Sequence, residues 1–276
     1  METLYSPGFL ALLAAGLVLT GAIAGVLAGL LGVGGGIVIV PVLFWLFDYL
    51  NVPDVVAMHV AVGTSLATII PTSISSARSH EKKGNIDRKV LMTWAPWIFA
   101  GALVGGILSK FLSSAYLTGI FGVIALLVSI NMVLPKAIVI AKELPSNPAG
   151  RSALPSFIGL FSSLMGIGGG TLSVPTLTAF SYPVHKAVGT AAAFGLVIAV
   201  PAAIGFVWSG WGVDLRPPYS LGYVSVPAAV LIFSASVFTA PVGARIAHSL
   251  NPARLRLAFA VFLFLSSLKM LNSAFF

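Results

Sequence analysis

The sequence predicts an all-α integral membrane protein, a polytopic helical bundle built from two homologous, inverted repeats with glycine-broken helices. Three observations predict it: too few charges to cover a soluble surface, apolar runs of membrane-spanning length, and glycine motifs that recur in the same order in both halves.

The chain has 276 residues, with 15 Lys or Arg and 7 Asp or Glu, so 8% are charged. An ordinary soluble domain carries about 25%. Hydrophobic residues make up 58%, and mean hydropathy is +1.04. That much apolar surface excludes a disordered chain and leaves lipid as the solvent for most side chains. The net charge is +8. In a membrane protein that excess marks cytoplasmic loops rather than a nucleic-acid partner. Cysteine is absent, which removes disulfides, thiolate nucleophiles and Cys-based metal sites. Residues 1–8 hold no Lys or Arg, unlike the basic start of a cleaved leader, so the first apolar run is expected to be a retained span.

A spanning helix needs about 20 apolar residues. Long runs lie at 8–32, 55–77, 90–110, 114–140, 153–167, 186–209, 219–247 and 254–275. Two shorter ones, 36–47 and 170–181, follow the glycine clusters. The expectation is eight main membrane segments, or ten if the short runs cross. The connections are brief. Residues 78–89 are the most charged, and 208–219 mix Trp, Tyr and Pro as an interfacial loop does. Residues 142–151 are punctuated by Pro and Gly and read as a linker. The division is therefore a first transmembrane repeat at 1–141, a linker at 142–151 and a second repeat at 152–276.

The repetition is specific. Gly32-Val33-Gly34-Gly35-Gly36 with Pro41 returns 134 residues later as Gly166-Ile167-Gly168-Gly169-Gly170 with Pro175. His59 and Val62-Gly63-Thr64 return 126 residues later as His185 and Val188-Gly189-Thr190. Ala102 to Gly105 return 138 residues later as Ala240 to Gly243. Basic residues shift between corresponding loops. Arg78, Lys82, Lys83, Arg88 and Lys89 follow the first His-Gly-Thr segment, whereas only Arg216 follows the second. Lys110 alone follows the first Ala-x-Val-Gly segment, whereas Arg245, Arg254 and Arg256 follow the second. By the positive-inside rule the corresponding loops face opposite sides, which requires an odd number of crossings per half.

The glycine clusters carry the strongest chemical signal. Each Gly costs a helix about 1 kcal/mol relative to Ala. In lipid, a broken backbone persists only where protein or a wet cavity satisfies it. The helix that restarts after the break presents free N–H groups at its positive end, a setting that favours an anion. Gly34, Gly35, Gly36, Gly168, Gly169 and Gly170 are therefore candidate substrate-binding positions. Gly21, Gly25 and Gly29, four residues apart, fit close helix packing instead. Thr64, Ser65 and Thr190 are candidate hydroxyl donors, although hydroxyls in apolar helices also bond back to their own carbonyls. Thr68, Thr72 and Ser75 share one helical face, as a wet path or as interhelical glue. His59 and His185 are candidates for proton uptake, or else interfacial residues that satisfy a loop backbone. Asp48 and Asp54 read as a solvated turn, and Lys269 as a snorkelling side chain. No intramembrane carboxylate, Gly-x-Ser-x-Gly or His-Glu-x-x-His is present, so no catalytic residue, metal site or cofactor is expected.

The paired Gly-x-Gly-Gly-Gly-x4-Pro motifs and the paired His-x-Ala-Val-Gly-Thr segments, with the stretch Lys83 to Asp87 after the first, resemble the TauE/SafE sulfite exporter family over about residues 16–272. The second half departs from the first at Ala191, where Ser65 stands in repeat one. The resemblance implies a permease or exporter of small anions such as sulfite, sulfonates or related organosulfur anions, working by alternating access. A transporter of a small carboxylate or other organic anion is the alternative, and a membrane-embedded enzyme ranks below it. The expected partners are the small anionic substrate and the lipid bilayer, with a homo-oligomer left open. The expected location is the cell membrane, a bacterial inner membrane.

Overall fold

The computed structural model describes residues 6–133, 139–145, 147–246 and 252–275. Among the described residues ten α-helices follow one another: α1 (Pro7–Leu31), α2 (Gly36–Tyr49), α3 (Asp54–Glu81), α4 (Arg88–Leu108), α5 (Ser114–Val133), α6 (Pro148–Leu164), α7 (Gly170–Ala179), α8 (Val184–Ser209), α9 (Val226–Ile246) and α10 (Pro252–Phe275). The protein is an all-α polytopic membrane bundle. Among the described residues, seven helices are long and apolar enough to cross a membrane: α1, α3, α4, α5, α8, α9 and α10.

The apolar runs and the helices differ at two places among the described residues. α6 is 17 residues long and starts at Pro148, inside the expected linker. The Asn147 side chain caps it by accepting from Gly150 N at 3.0 Å. α9 starts at Val226 rather than 219, because Ser220–Leu221 (β1) pairs with Val224–Ser225 (β2) in a small hairpin. Pro217 and Pro218 lack the N–H donors that would continue a helical ladder, and Tyr219 and Gly222 have φ near +59° and +55°. The run expected at 114–140 includes residues 134–138, which lie outside the described residues. α2 and α7, of 14 and 10 residues, are about 21 and 15 Å long, short of the roughly 30 Å hydrocarbon core.

The packing follows one pattern in both halves. α1 lies along α9 in the same direction, with Gly21, Gly25 and Gly29 against Ile232, Ser236 and Ala240. α6 lies along α4 in the same way, with Gly101 against Ser156 and Gly105 against Leu160. A Cβ on Gly29 would stand 1.9 Å from Ala240 O, and one on Gly159 would stand 2.1 Å from Ile98 O. Only glycine permits this approach, and it is how helices pack where lipid removes the hydrophobic drive. α3 and α8 run in opposite directions: Gly63 meets Phe206, while Ser73 meets Gly195 further along. α5 and α10 are antiparallel too, with Gly119 beside Phe275 and Gly122 beside Leu271. Along α3, α9 runs parallel through Thr72 and Ser236, 2.6 Å apart, and Ser75 Oγ to Val237 O at 2.8 Å.

Loops are tied to the long helices at matching points. Asp87 N donates to Thr190 Oγ1 at 2.9 Å, and Ser225 N donates to Thr64 Oγ1 at 2.9 Å. Asp87 also caps α4, accepting from Lys89 N and Val90 N at 2.9 and 3.2 Å, and accepts from the Tyr182 hydroxyl. The Tyr182 bond is the main cause that holds the Asp87 carboxyl below the usual carboxylate range, ahead of the two backbone donors. Burial first, and then this same bond, push the Tyr182 phenol up.

A depressed carboxyl stabilises the fold above its unfolded value and loses that contribution as pH falls through the folded one. Asp87→Ala should therefore cost about 1 kcal/mol at neutral pH, read by thermal unfolding in detergent. The difference from wild type should shrink as the pH drops below the ordinary carboxylate range. An unchanged melting temperature at neutral pH would show that the cap contributes nothing.

Candidate functional site at the glycine breaks

The break between α1 and α2 needs glycine three times in four residues. Gly32, Gly34 and Gly35 have φ of +68°, +73° and +80°, a region costly for residues with a Cβ. The second break is tighter. Gly166 has φ +66°, while Gly169, the cap of α7, is already helical at φ −59°. The two breaks lie directly against each other. A Cβ on Gly34 would sit 2.9 Å from Gly168 Cα, one on Gly36 2.3 Å from Gly166 O, and one on Gly170 2.3 Å from Gly32 O. Ser65 Oγ donates to Gly166 O at 2.7 Å, tying α3 to the second break. The breaks also sit halfway along the two long helices: Gly34 and Gly36 touch Ile69 of α3, and Gly169 touches Phe194 and Gly195 of α8.

Each short helix opens with donors ahead of its hydrogen-bond ladder. In α2 the first backbone bonds to Gly35 O come from Val38 N and Ile39 N. In α7 Gly169 O accepts from Ser173 N. The N–H groups of Gly170, Thr171 and Leu172 precede that bond and have no helical acceptor. Around this end the side chains turn polar. Thr171 and Ser173 of α7, Ser73 of α3 and Ser162 on the last turn of α6 are at most 3% exposed, and none of the four hydroxyls has a protein partner. A Cβ at Gly195 would lie 2.4 Å from Ser73 Oγ and 3.6 Å from Gly169 N, so the hydroxyl and the α7 cap converge. A buried polar group without a partner costs about 1–3 kcal/mol. Ser73 beside the α7 cap, with Ser173 on the same face of α7 as Gly169, marks a place where something polar can be received.

The remaining sequence candidates are spread more widely. Thr64 and Thr190 are fully buried and serve as acceptors for loop N–H groups, as described above. Thr68 and Thr72 bond back to Ser65 O at 2.7 Å and Thr68 O at 2.8 Å. His59 is buried, with Nε2 3.1 Å from both Ser109 O and Leu112 O in the turn after α4 and its ring centroid 4.7 Å from that of Tyr223. His185 is exposed at the start of α8. Asp48 and Asp54 are exposed, and Lys269 Nζ lies 4.7 Å over the Trp45 ring. Sequence reasoning passed over Thr171, Ser173 and Ser162. The signal available for the first two was the contrast between repeats, since the equivalent positions after the first glycine cluster are Ile37 and Ile39. Among the described residues no three His, Asp or Glu side chains group to hold a metal.

Comparisons with known proteins give the family of the chain. A family model described as sulfite exporter TauE/SafE matches residues 17–270. The chain belongs to the TauE/SafE family. A probable membrane transporter protein of Haemophilus influenzae is 39% identical over 254 residues, covering 91% of this chain and 96% of that protein. Another from Methanocaldococcus jannaschii is 30% identical, covering 92% and 94%. One from Bacillus subtilis is 32% identical, covering 63% of this chain and 71% of its own length. No solved structure matches the chain significantly. This TauE/SafE member is a multi-pass membrane transporter.

The unpartnered hydroxyls give a stability prediction. Ser73→Ala and Ser173→Ala should leave the melting temperature unchanged or raise it, by up to about 1 kcal/mol, because each removes a buried unsatisfied group. A loss above 1 kcal/mol would show that these hydroxyls are paired within the fold.

Proposed function

We propose that the protein is a permease for small anions, sulfite or an organosulfonate, which it moves unaltered across the cell membrane by alternating access. The observation that carries this reading is the set of buried hydroxyls without partners, Ser73, Thr171 and Ser173, at the amino-terminal end of α7. Ser73 and Ser173, the latter on the same helical face as Gly169, offer neutral donors to one small oxyanion together with the N–H groups of Gly170, Thr171 and Leu172, while the Thr171 hydroxyl lies on the opposite face of α7. A sulfur oxyanion or sulfonate presents several equivalent oxygens, which suits donors arriving from two helices. Gly34 to Gly36 and Gly168 to Gly170 supply the unwound backbone, and Ser65 holds α3 on the second break. Thr64 and Thr190 pin the hairpin and the basic loop that frame the site. Neutral donors bind an anion without the tenacity of a buried cation, and turnover needs release as much as capture.

Alternating access follows from inverted repeats. Supporting the inversion, the helices that correspond between halves run antiparallel, as α3 does to α8 and α5 to α10. The contacts also exchange: α1 lies along α9 where α6 lies along α4. Rocking of one half on the other about the contact between the breaks would open the α7 end first to one side and then to the other. The full burial of the hydroxyls corresponds to an occluded arrangement.

Two measurements test this. In proteoliposomes, labelled sulfite should cross without chemical change. The double variant Ser73→Ala/Ser173→Ala should reduce its flux at least tenfold while retaining wild-type melting. Wild-type flux in that folded variant would reject the site. Reporter fusions in the 78–89 loop and the 208–219 loop should mark opposite sides of the membrane, with 78–89 cytoplasmic. Same-side signals would reject inversion.

A further inference from the structure

The two breaks meet the long central helices at equivalent positions, and those positions hold very different residues. Ile69 of α3 and Gly195 of α8 are 126 residues apart, the spacing that also relates His59 to His185 and Gly63 to Gly189. Ile69 is fully buried and covers the first break. Its Cγ2 lies 3.3 Å from where a Cβ on Gly34 would stand, and its Cδ1 lies 2.9 Å from one on Gly36. At the second break the same position has no side chain. A Cβ at Gly195 would lie 3.6 Å from Gly169 N and 2.4 Å from Ser73 Oγ. The bare backbone of α8 therefore faces two donors at once. The Ser73 hydroxyl has no protein partner, and Gly169 N has no backbone acceptor among the described residues. The repeat counterpart of Ser73 is Ala199, which has no side-chain donor. One break is covered by an isoleucine, and the other faces a hydroxyl and an amide.

Close helix packing does not account for Gly195. At the glycines of the helix seams an added Cβ would strike a backbone carbonyl. Gly21 would meet Ile232 O, Gly101 would meet Ser156 O and Gly159 would meet Ile98 O, each at 2.1 Å. Those positions need glycine for the backbones to approach. At Gly195 the three nearest atoms are Ser73 Oγ, Ser73 Cβ and Gly169 N, and none belongs to the α3 backbone. Gly195 also lies inside α8, where glycine is less favourable than alanine. It is needed chiefly to spare the Ser73 hydroxyl, a group the fold itself leaves unpaired.

The surrounding wall is apolar and fixed. Phe194 Cβ lies 2.7 Å from where a Cβ on Gly169 would stand. The Phe194 ring stacks on Trp94 with centroids 6.0 Å apart, and both residues are buried. Ala191, also fully buried, brings its carbonyl against Gly169 as well. Close-packed walls of this kind yield little to a larger solute.

We propose that Gly195 is the specificity-determining residue of the permease. It makes the second break the anion site, shared by the Ser73 hydroxyl and the α7 amides. It also favours compact oxyanions, a sulfur with its oxygens, over sulfonates that carry an organic tail. Ile69 makes the first break a structural copy that receives no anion and serves by packing against the second. This deepens the anion-permease reading above and rests on it.

The test is competition in proteoliposomes, with labelled sulfite as substrate and alkanesulfonates as inhibitors. Methane-, ethane- and propanesulfonate carry the same charge and differ only in length. In the wild type their inhibition constants should rise at least threefold with each added carbon. Gly195→Ala adds one methyl between the donors. It should raise the sulfite KM at least fivefold, and raise the methanesulfonate inhibition constant relative to that KM at least threefold. Ile69→Val should leave both values at wild type. Equal inhibition along the series would overturn the proposal. So would a Gly195→Ala variant that loses only maximal flux while KM and the ratio stay put, which is the mark of a structural role. An Ile69→Val variant that shifts KM as far as Gly195→Ala would overturn it too. If Gly195→Ala fails to fold because its methyl meets Ser73 Oγ, the pair Ser73→Ala/Gly195→Ala removes that clash. The pair should raise the sulfite KM at least fivefold over Ser73→Ala alone, and an equal KM would overturn the proposal. A wild type that moves no sulfite or sulfonate rejects the permease reading and this proposal with it. A wild type that moves sulfite, with Gly195→Ala indistinguishable from it, rejects this proposal alone.

Discussion

Backbone contact through glycine is the constraint on which the rest of this bundle depends. Lipid tails are as apolar as leucine, so burying one more leucine between helices gains little over leaving it in the bilayer. What remains is dispersion at close range, and that requires backbones to approach. Along α1 a Cβ at Gly21, Gly25 or Gly29 would stand about 2 Å from a neighbouring atom of α9. The equivalent seam between α4 and α6 is built the same way. Once these two seams fix the outer helices, α3 and α8 are held in the middle, and the two breaks meet halfway along them. The breaks then satisfy one another by proximity: unwound backbone is shielded from lipid by unwound backbone, which is the condition under which it can persist at all.

The motifs that recur in both halves allow a comparison, because packing requirements recur at matching places and functional ones need not. The Gly36–Gly166 and Gly170–Gly32 contacts recur, as do the Thr64–Ser225 and Thr190–Asp87 bonds. These belong to the scaffold. The departures are Ile37 and Ile39 against Thr171 and Ser173, and Ala191 against Ser65. Ser65 serves the packing of the breaks by donating to Gly166 O, whereas Thr171 and Ser173 place polarity where the fold does not need it. A helix end lined by unpaired hydroxyls is less stable than one lined by isoleucine, and the first repeat shows that isoleucine fits.

Much of this was legible from the residues. Apolar runs located the helices because lipid imposes both length and composition. The small-residue spacing in α1 marked a packed face, and the glycine clusters marked the breaks. The start of α6 and the hairpin before α9 were not legible. Hydropathy cannot separate Pro148 to Leu154 from a linker, or Tyr219 to Ser225 from a helix, when the deciding facts are an Asn147 cap and left-handed dihedrals at Tyr219 and Gly222. The hydroxyls were ambiguous for a deeper reason. Spacing shows which face a Ser or Thr occupies, but not whether its proton is already committed. Thr68 and Thr72 bond back to their own helix, and Ser75 is committed to Val237 O. Ser73, between them in sequence, is left free of any protein partner. Only tertiary packing makes that distinction.

The distribution of charge completes the physical argument. An arginine at the centre of a bundle would bind an oxyanion strongly. It would also be costly to bury when the site empties, since a lone cation in a low-dielectric interior has lost its hydration. Hydroxyls and amides cost far less when vacant, a few kcal/mol at most for each. Cations at a water-filled mouth cost almost nothing, because they stay solvated between visits. The absence of cationic side chains among the described residues at the breaks is therefore the arrangement expected of the permease proposed above, which must hold an anion briefly and let it go. A cation placed at the level of Ile69, about two and a half turns of α3 inward of Arg78, would turn a transient site into a trap.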